Sequence, residues 1–291
     1  MTAALVVIAA GMSGLLHAPT ATQLRAAASR VVLAAVTDAQ DRRLVDLGPD
    51  DFAVSEKGSE REIYSVYLAD YPVVVLLDES ADAETDMPAI RRAAARFVSR
   101  LGPRAVAIST LARPPAIVAS FDDDRAAALA KLEGASMGPA STLAPVEAVS
   151  DATRLIRDTG APFSAIVVVS ARPIEADLPA APGLSQRIFE SGAFVHAVVR
   201  RESERAAPDG RGYAGRPGED LLRDLADQTH GQYITVFSTA SYSVALDRLA
   251  DRLSTEMMIE YLVPSGPPST EDVRVGVKVP GARIRGLGVS K

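Results

Sequence analysis

Three oxygen-bearing side chains stand at alternate positions directly after an apolar run. The stretch Tyr71–Asp82 reads YPVVVLLDESAD, and its run of Val and Leu ends at Asp78, which is followed by Ser80 and Asp82. Carboxylates and hydroxyls are oxygen ligands that Mg²⁺ accepts in its octahedral shell. The same residue types also form ordinary strand-end turns and helix caps. The stretch therefore predicts either a cation-binding strand end or a polar turn.

The composition restricts the classes of protein that this chain can represent. Its 291 residues are 47% hydrophobic and carry a formal net charge of −6, which favours a packed core and opposes general nucleic-acid binding. There is no cysteine, so disulfides, thiolate metal sites and cysteine nucleophiles are excluded. The three histidines, His17, His196 and His230, are too few for a histidine-rich zinc site.

Between residues 73 and 257, apolar runs of strand type alternate with segments of helical period. This alternation predicts an α/β fold, a mostly parallel sheet with helices on both faces. The predicted strands are Val73–Leu77, Ala105–Leu111, Ala116–Phe121, Ala165–Val169, Ala193–Val199 and Gln232–Phe237. The predicted helices are Met87–Leu101, Asp124–Leu132, Thr142–Ile156, Glu219–Thr229 and Ala240–Met257.

Short β-type runs flank this α/β segment on both sides. We expect residues 30–70 and 258–291 to pair into one small β domain, with an α/β domain of residues 71–257 inserted between them. In an open α/β sheet, ligands bind beyond the carboxyl ends of the strands. Asp78 and Ser80 lie at such an end.

The N-terminal residues resemble the apolar core of a signal peptide. Ala3–Leu16 is apolar or small apart from Ser13, and it is too short to span a bilayer. We therefore predict a signal peptide over residues 1–21 and an exported protein, periplasmic or secreted, without a membrane span after cleavage. The run lacks a preceding Lys or Arg, and a packed N-terminal segment of a cytoplasmic protein is the alternative.

Residues 73–257 contain VVVLLDES, Ser141-Thr142-Leu143 and SAIVVVSARP, and this set of motifs resembles a von Willebrand factor A (VWA) domain. VVVLLDES is similar to the first strand and metal loop of that family, and SAIVVVSARP is similar to the strand that usually ends in Thr-Asp-Gly. Ser141-Thr142-Leu143 is similar to its threonine loop. The flanks, VVLAAVTDAQDRRLVDLGPDDFAVSEKG and IEYLVPSG…VRVGVKVP, are similar to those of bacterial VWFA-related proteins.

The resemblance implies an incomplete form of the family's metal-ion-dependent adhesion site. Asp78, Ser80 and Thr142 match ligand positions, whereas Asp82 replaces a serine and Ala171 replaces a carboxylate. Two interpretations of this incomplete site stay open. Asp82 supplies the missing carboxylate and the site binds Mg²⁺, or the site is vestigial and requires no cofactor.

The resemblance implies a non-enzymatic protein-binding module of the adhesion or assembly type. Its partner is another protein, and the expected contact surface is the strand-end rim, formed by Asp78, Ser80, Asp82, Thr142 and Arg172. Arg200-Arg201 and the segment 211–216 form a basic loop, read either as a solvated face or as a contact for an acidic partner.

An enzyme at the same strand end is the third alternative. A hydrolase or phosphotransfer site would need a paired base or the second carboxylate of an Asp-x-Asp loop. Asp78-Glu79-Ser80 lacks that second Asp, so the sequence predicts no catalytic residue.

Overall fold

A computed structural model describes six stretches of the chain, residues 28–80, 83–135, 143–175, 183–201, 220–264 and 272–290. The predicted signal peptide and the basic segment 211–216 lie outside these stretches, as do Asp82 and Thr142. Among the described residues, no helix is long and apolar enough to cross a membrane.

A six-stranded sheet forms the centre of the α/β part. Its strand order is β10-β9-β8-β5-β6-β7, and all neighbouring strands run parallel except the edge pair β6 and β7. Every residue of β5 and β8 is buried, because helices cover both faces of the sheet. The strands are β5 Val73–Leu77, β6 Val106–Thr110, β7 Ile117–Ala119, β8 Ser164–Ser170, β9 Ala193–Arg200 and β10 Tyr233–Val236.

Within the described stretches, six helices divide between the two faces of this sheet. Helices α1, α2 and α6 pack on the face that contains Val75 and Leu77, and α3, α4 and α5 pack on the face of Val74 and Leu76. The helices are α1 Met87–Arg100, α2 Arg125–Gly134, α3 Pro145–Thr159, α4 Leu184–Glu190, α5 Leu221–Gln228 and α6 Ser241–Leu253. The predicted α/β fold is therefore confirmed.

The chain ends form two further sheets that pack face to face. A four-stranded sheet has the order β13-β1-β11-β4, and a three-stranded sheet has the order β12-β2-β3. Alternate residues of β1 and β11, among them Val32 and Ile259, fill the core between the sheets with Phe52 of β2. The strands are β1 Ala28–Thr37, β2 Phe52–Glu56, β3 Ser59–Arg61, β4 Ile63–Leu68, β11 Glu256–Val263, β12 Val273–Val277 and β13 Arg283–Val289.

The last helix is shorter than the sequence predicts. The helix predicted to reach Met257 ends at Leu253, and β11 begins at Glu256, paired with Ala35 of β1. Met257 fits a helical period, but its side chain lies in the core between the two β sheets. The sequence reading also missed α4, whose Leu184 and Ile188 are buried one helical turn apart.

Candidate functional site

The carboxyl ends of three neighbouring strands meet at one edge of the central sheet. Leu77 of β5 is in register with Val169 of β8, and Ser170 of β8 is in register with Val199 of β9. Asp78 therefore stands beside Ser170, and Arg200 lies one residue beyond the end of that row, after Val199. This is the edge at which ligands bind in open α/β sheets, and it contains the described residues of the strand-end rim.

Asp78 lies at the centre of the rim, and its side chain is fully buried. The backbone N–H of Ser80 donates to Oδ1 at 2.9 Å, and the backbone N–H of Ala171 donates to Oδ2 at 3.0 Å. The Ser170 hydroxyl lies 2.9 Å from Oδ2 and 2.7 Å from the carbonyl oxygen of Arg172. Asp78 is 0% exposed, so a buried carboxylate connects the turn after β5 to the turn after β8.

Ser80 follows the turn and carries an unused polar atom. Its side chain is 8% exposed, and Oγ has no hydrogen-bond partner among the described residues. A buried hydroxyl without a partner loses free energy unless water or a ligand reaches it. Ser80 Oγ is thus a buried polar atom of the rim that no described residue binds.

A second buried carboxylate, Asp86, lies where α1 begins, and the sequence reading missed it. The Tyr242 hydroxyl of α6 is 3.0 Å from Asp86 Oδ2 and 3.1 Å from the Ser170 carbonyl oxygen. Arg200 Nε forms an ion pair with Asp86 Oδ2 at 2.5 Å, but this contact does not have the geometry of a hydrogen bond. Burial and the nearby Asp86 raise the pKa of the Tyr242 hydroxyl, so this group stays protonated.

Further charged groups surround this cluster. Burial raises the pKa of Glu79, with a further rise from Asp78 that Arg91 opposes. At the end of β9, Arg201 forms an ion pair with Asp220, the residue that caps α5 by accepting from the backbone N–H of Leu222. Arg172 is exposed in the turn after β8.

The described part of the rim does not form a magnesium coordination set by itself. Protein donors already bind both carboxylate oxygens of Asp78, and Ala171 has no ligand atom in its side chain. Mg²⁺ requires six oxygen ligands in near-octahedral geometry. Within the described stretches, no three His, Asp or Glu side chains form a metal-binding group. The two other predicted ligands, Asp82 and Thr142, lie outside the described residues.

The fold has counterparts among solved structures. The chain is similar to a von Willebrand factor type A protein from Catenulispora acidiphila, with 15% identity over 82% of this chain and 72% of that one, at a TM-score of 0.53. It is also similar to the conserved hypothetical protein BatB from Bacteroides thetaiotaomicron, with 19% identity over 63% of this chain and 98% of that one, at a TM-score of 0.47.

A third similar structure is the vWF domain of a type V pili tip protein from Porphyromonas gingivalis. It has 12% identity over 64% of this chain and 96% of that one, at a TM-score of 0.48. No protein-family model and no curated protein matches the chain. The likeness is one of fold, and the α/β part of the chain has the von Willebrand factor A fold that the sequence predicted.

Proposed function

We propose that this chain is a non-enzymatic protein-binding module that captures another protein at the strand-end rim without a divalent cation. The observation that carries the proposal is the bonding of Asp78, whose carboxylate is buried and bound by donors from the turns after β5 and β8. In this arrangement Asp78 holds the rim together, and the exposed side chains around it contact the partner.

Exposed side chains at and beside the rim suit protein contact. Phe237 and Val244 are 62% and 53% exposed, and they lie at the end of β10 and in the first turns of α6. Arg172 is a further exposed residue there. Exposed aromatic and arginine side chains are enriched where proteins bind each other.

The proposal is tested by capturing the partner from the cell envelope with the purified chain in the presence of EDTA. We expect one partner to be captured saturably by the wild type and lost with Phe237→Asp. Arg154→Gln is the matched control, because Arg154 is exposed on α3 and pairs with Asp151 of the same helix. Equal capture by all three proteins, or capture that EDTA abolishes, contradicts the proposal.

The second candidate function is Mg²⁺-dependent ligand binding, and the unpartnered Ser80 Oγ favours it. In that case Asp82 would replace the carboxylate that is missing at Ala171. Calorimetry with Mg²⁺ and Mn²⁺ on the wild type and on Asp78→Ala separates the two. Binding heat in the wild type that is lost in the variant supports the metal-dependent function, and absence of heat in both proteins supports metal-independent capture.

The absence of a catalytic role belongs to the same proposal. Turnover of ester or phosphate substrates that disappeared in Asp78→Ala would replace it with an enzymatic function. Export is part of the proposal too, and sequencing the N-terminus of the protein recovered from the cell envelope tests whether residues 1–21 are removed.

A further inference from the structure

Arg200 is fixed in place at the rim by two elements of the fold. It ends β9, in register with Val236 of β10, and its Nε forms an ion pair with Asp86 at the start of α1. Asp86 is 1% exposed, and the Tyr242 hydroxyl of α6 binds the same oxygen. A guanidinium held in this way loses little conformational entropy when it binds a ligand.

The outer edge of the Arg200 guanidinium is open to a ligand. The side chain is 28% exposed, and its contact with Asp86 runs through Nε. The two terminal nitrogens then present a planar pair of donors. Their spacing matches the two oxygens of a carboxylate, which arginine binds in bidentate fashion.

The charges at the ends of β8 and β9 favour an anion. The acids that contact the arginines there, Asp86 and Asp220, are both buried. Position 171 holds Ala rather than a carboxylate, and the neighbouring Arg172 is exposed. The Arg200 side chain is 28% exposed whereas its acid partner Asp86 is buried, so Arg200 presents positive charge to a ligand at the end of β9.

An exposed aromatic residue follows the strand next to β9. Phe237 follows Val236, whose carbonyl oxygen accepts from the backbone N–H of Arg201 at 2.9 Å. Phe237 is 62% exposed, and it stands one residue beyond Val236, the residue that is in register with Arg200. The site fits a segment that carries a carboxylate beside an apolar side chain.

We infer that Arg200 is the centre of a binding site for an acidic segment of the partner protein, with a carboxylate on its terminal nitrogens and an apolar side chain against Phe237. The inference rests on the proposed function and specifies the chemistry of its partner. A fixed guanidinium provides the positive charge that receives the carboxylate.

The test is an NMR titration in EDTA with a short peptide of alternating aspartate and leucine as the probe. The matched probe contains asparagine in place of aspartate. We expect the acidic peptide to shift saturably the Arg200 Nε–Hε resonance and the amide resonances of Val199 and Arg201, whereas the asparagine peptide leaves them unchanged. Equal shifts with both peptides overturn the inference.

The same titration is repeated with variants of Arg200. Arg200→Gln should weaken binding by about tenfold or more, and Arg200→Lys, which keeps the charge opposite Asp86 and loses the planar fork, by roughly threefold to tenfold. Arg157→Gln is the control, because Arg157 is exposed in the last turn of α3, on the opposite edge of the sheet. Circular dichroism checks that each variant is folded. Wild-type affinity in Arg200→Lys and Arg200→Gln overturns the inference.

Failure of this inference is distinguishable from failure of the proposed function. If Phe237→Asp loses the captured partner while Arg200→Lys retains it fully, the acidic assignment is wrong and capture at the rim stands. If no variant of the rim affects capture, the proposed function itself is wrong, whatever the peptide titration shows.

Discussion

At the scale of single residues, the rim depends on carboxylates that bind other groups of the protein itself. Asp78 and Asp86 are both buried, and each joins parts of the chain that are distant in sequence. The sequence was sufficient to locate Asp78 and Ser80, because an apolar run that stops at a polar residue marks a strand end. It could not show that Arg200 and Tyr242 contact Asp86, since those contacts depend on strand order and helix packing.

Replacing Asp78 should destabilise the protein strongly. Asp78→Ala leaves the buried N–H groups of Ser80 and Ala171 without an acceptor, and each buried group left unpaired costs about 1–3 kcal/mol. We expect a loss of about 3 kcal/mol in the free energy of unfolding, measured by urea denaturation. Asp124→Ala, which removes the cap of α2, is the control and should cost about 1 kcal/mol. Equal losses in the two variants would show that Asp78 is not a linking residue.

His196 makes stability depend on pH. Burial, with a contribution from Arg252, lowers its pKa from 6.5 to about 3, so the folded protein keeps this imidazole neutral. The unfolded chain binds a proton below its own pKa of 6.5 whereas the folded chain does not, so stability is lost as pH falls from that value towards about 3.

The matched variant is His196→Asn, which keeps an acceptor for the backbone N–H of Gln232 and cannot titrate. Between about pH 7 and about pH 5, the wild type should lose about 2 kcal/mol more in free energy of unfolding than the variant does. Parallel pH profiles of the two proteins would mean that His196 is protonated in the folded state.

At the scale of elements, an arginine contacts both connections between the α/β part and the β sheets. Arg104 donates from Nε to the carbonyl oxygen of Ala69 at 2.9 Å and from Nη2 to that of Leu253 at 2.6 Å. Its guanidinium lies 4.4 Å from the centre of the Tyr71 ring. The segment from β4 to β5 and the segment from α6 to β11 therefore meet at this side chain.

Removing the Arg104 side chain should destabilise the fold. Arg104→Ala leaves two buried carbonyl oxygens without donors and removes a cation–π contact, with an expected cost of about 3 kcal/mol. Arg154→Ala is the control, because its ion pair with Asp151 is exposed, and it should cost less than about 0.5 kcal/mol. Guanidinium chloride denaturation measures both, and equal midpoints would refute the structural role of Arg104.

The turn between α5 and β10 requires the absence of a side chain at Gly231. A Cβ atom there would lie 1.7 Å from the carbonyl oxygen of Val195, a backbone atom that cannot move aside. Gly231→Ala should therefore cost about 2 kcal/mol or more. Gly134→Ala, in open space at the end of α2, should be neutral or slightly stabilising. Thermal unfolding of both variants decides the matter, and a neutral Gly231→Ala would contradict the packing of this turn.

The elements show where the sequence pattern is sufficient and where it fails. The continuous apolar strands and amphipathic helices were found because burial on both faces of a sheet leaves an unmistakable run. The end of α6 was misplaced, since Met257 fits a helical period but is buried between the β sheets. Tertiary packing decides whether such a residue lies in a helix or a strand, and the local spacing of apolar residues does not reveal that packing.

At the scale of the whole molecule, the chain carries a VWA fold with a β unit built from its two ends. Strand β1 lies between β13 and β11 in one sheet, so the first and last described strands meet. The α/β fold can be predicted from the order of the elements along the chain. The partner protein cannot, because the exposed side chains of the rim indicate the chemistry of a ligand and not which protein carries it. The domain boundaries and the export of the chain stay predictions.

The most direct measurement is site-specific photo-crosslinking in the native cell envelope with EDTA present. A photoreactive residue replaces Phe237 or Arg172 at the rim, or Arg157 at the opposite edge of the sheet as a control. Capture at the rim predicts the same single partner adduct from both rim positions, competed by excess unlabelled protein, and no adduct from position 157. Adducts of equal yield from position 157, or rim adducts that vanish in EDTA, would contradict metal-independent capture at the strand-end rim.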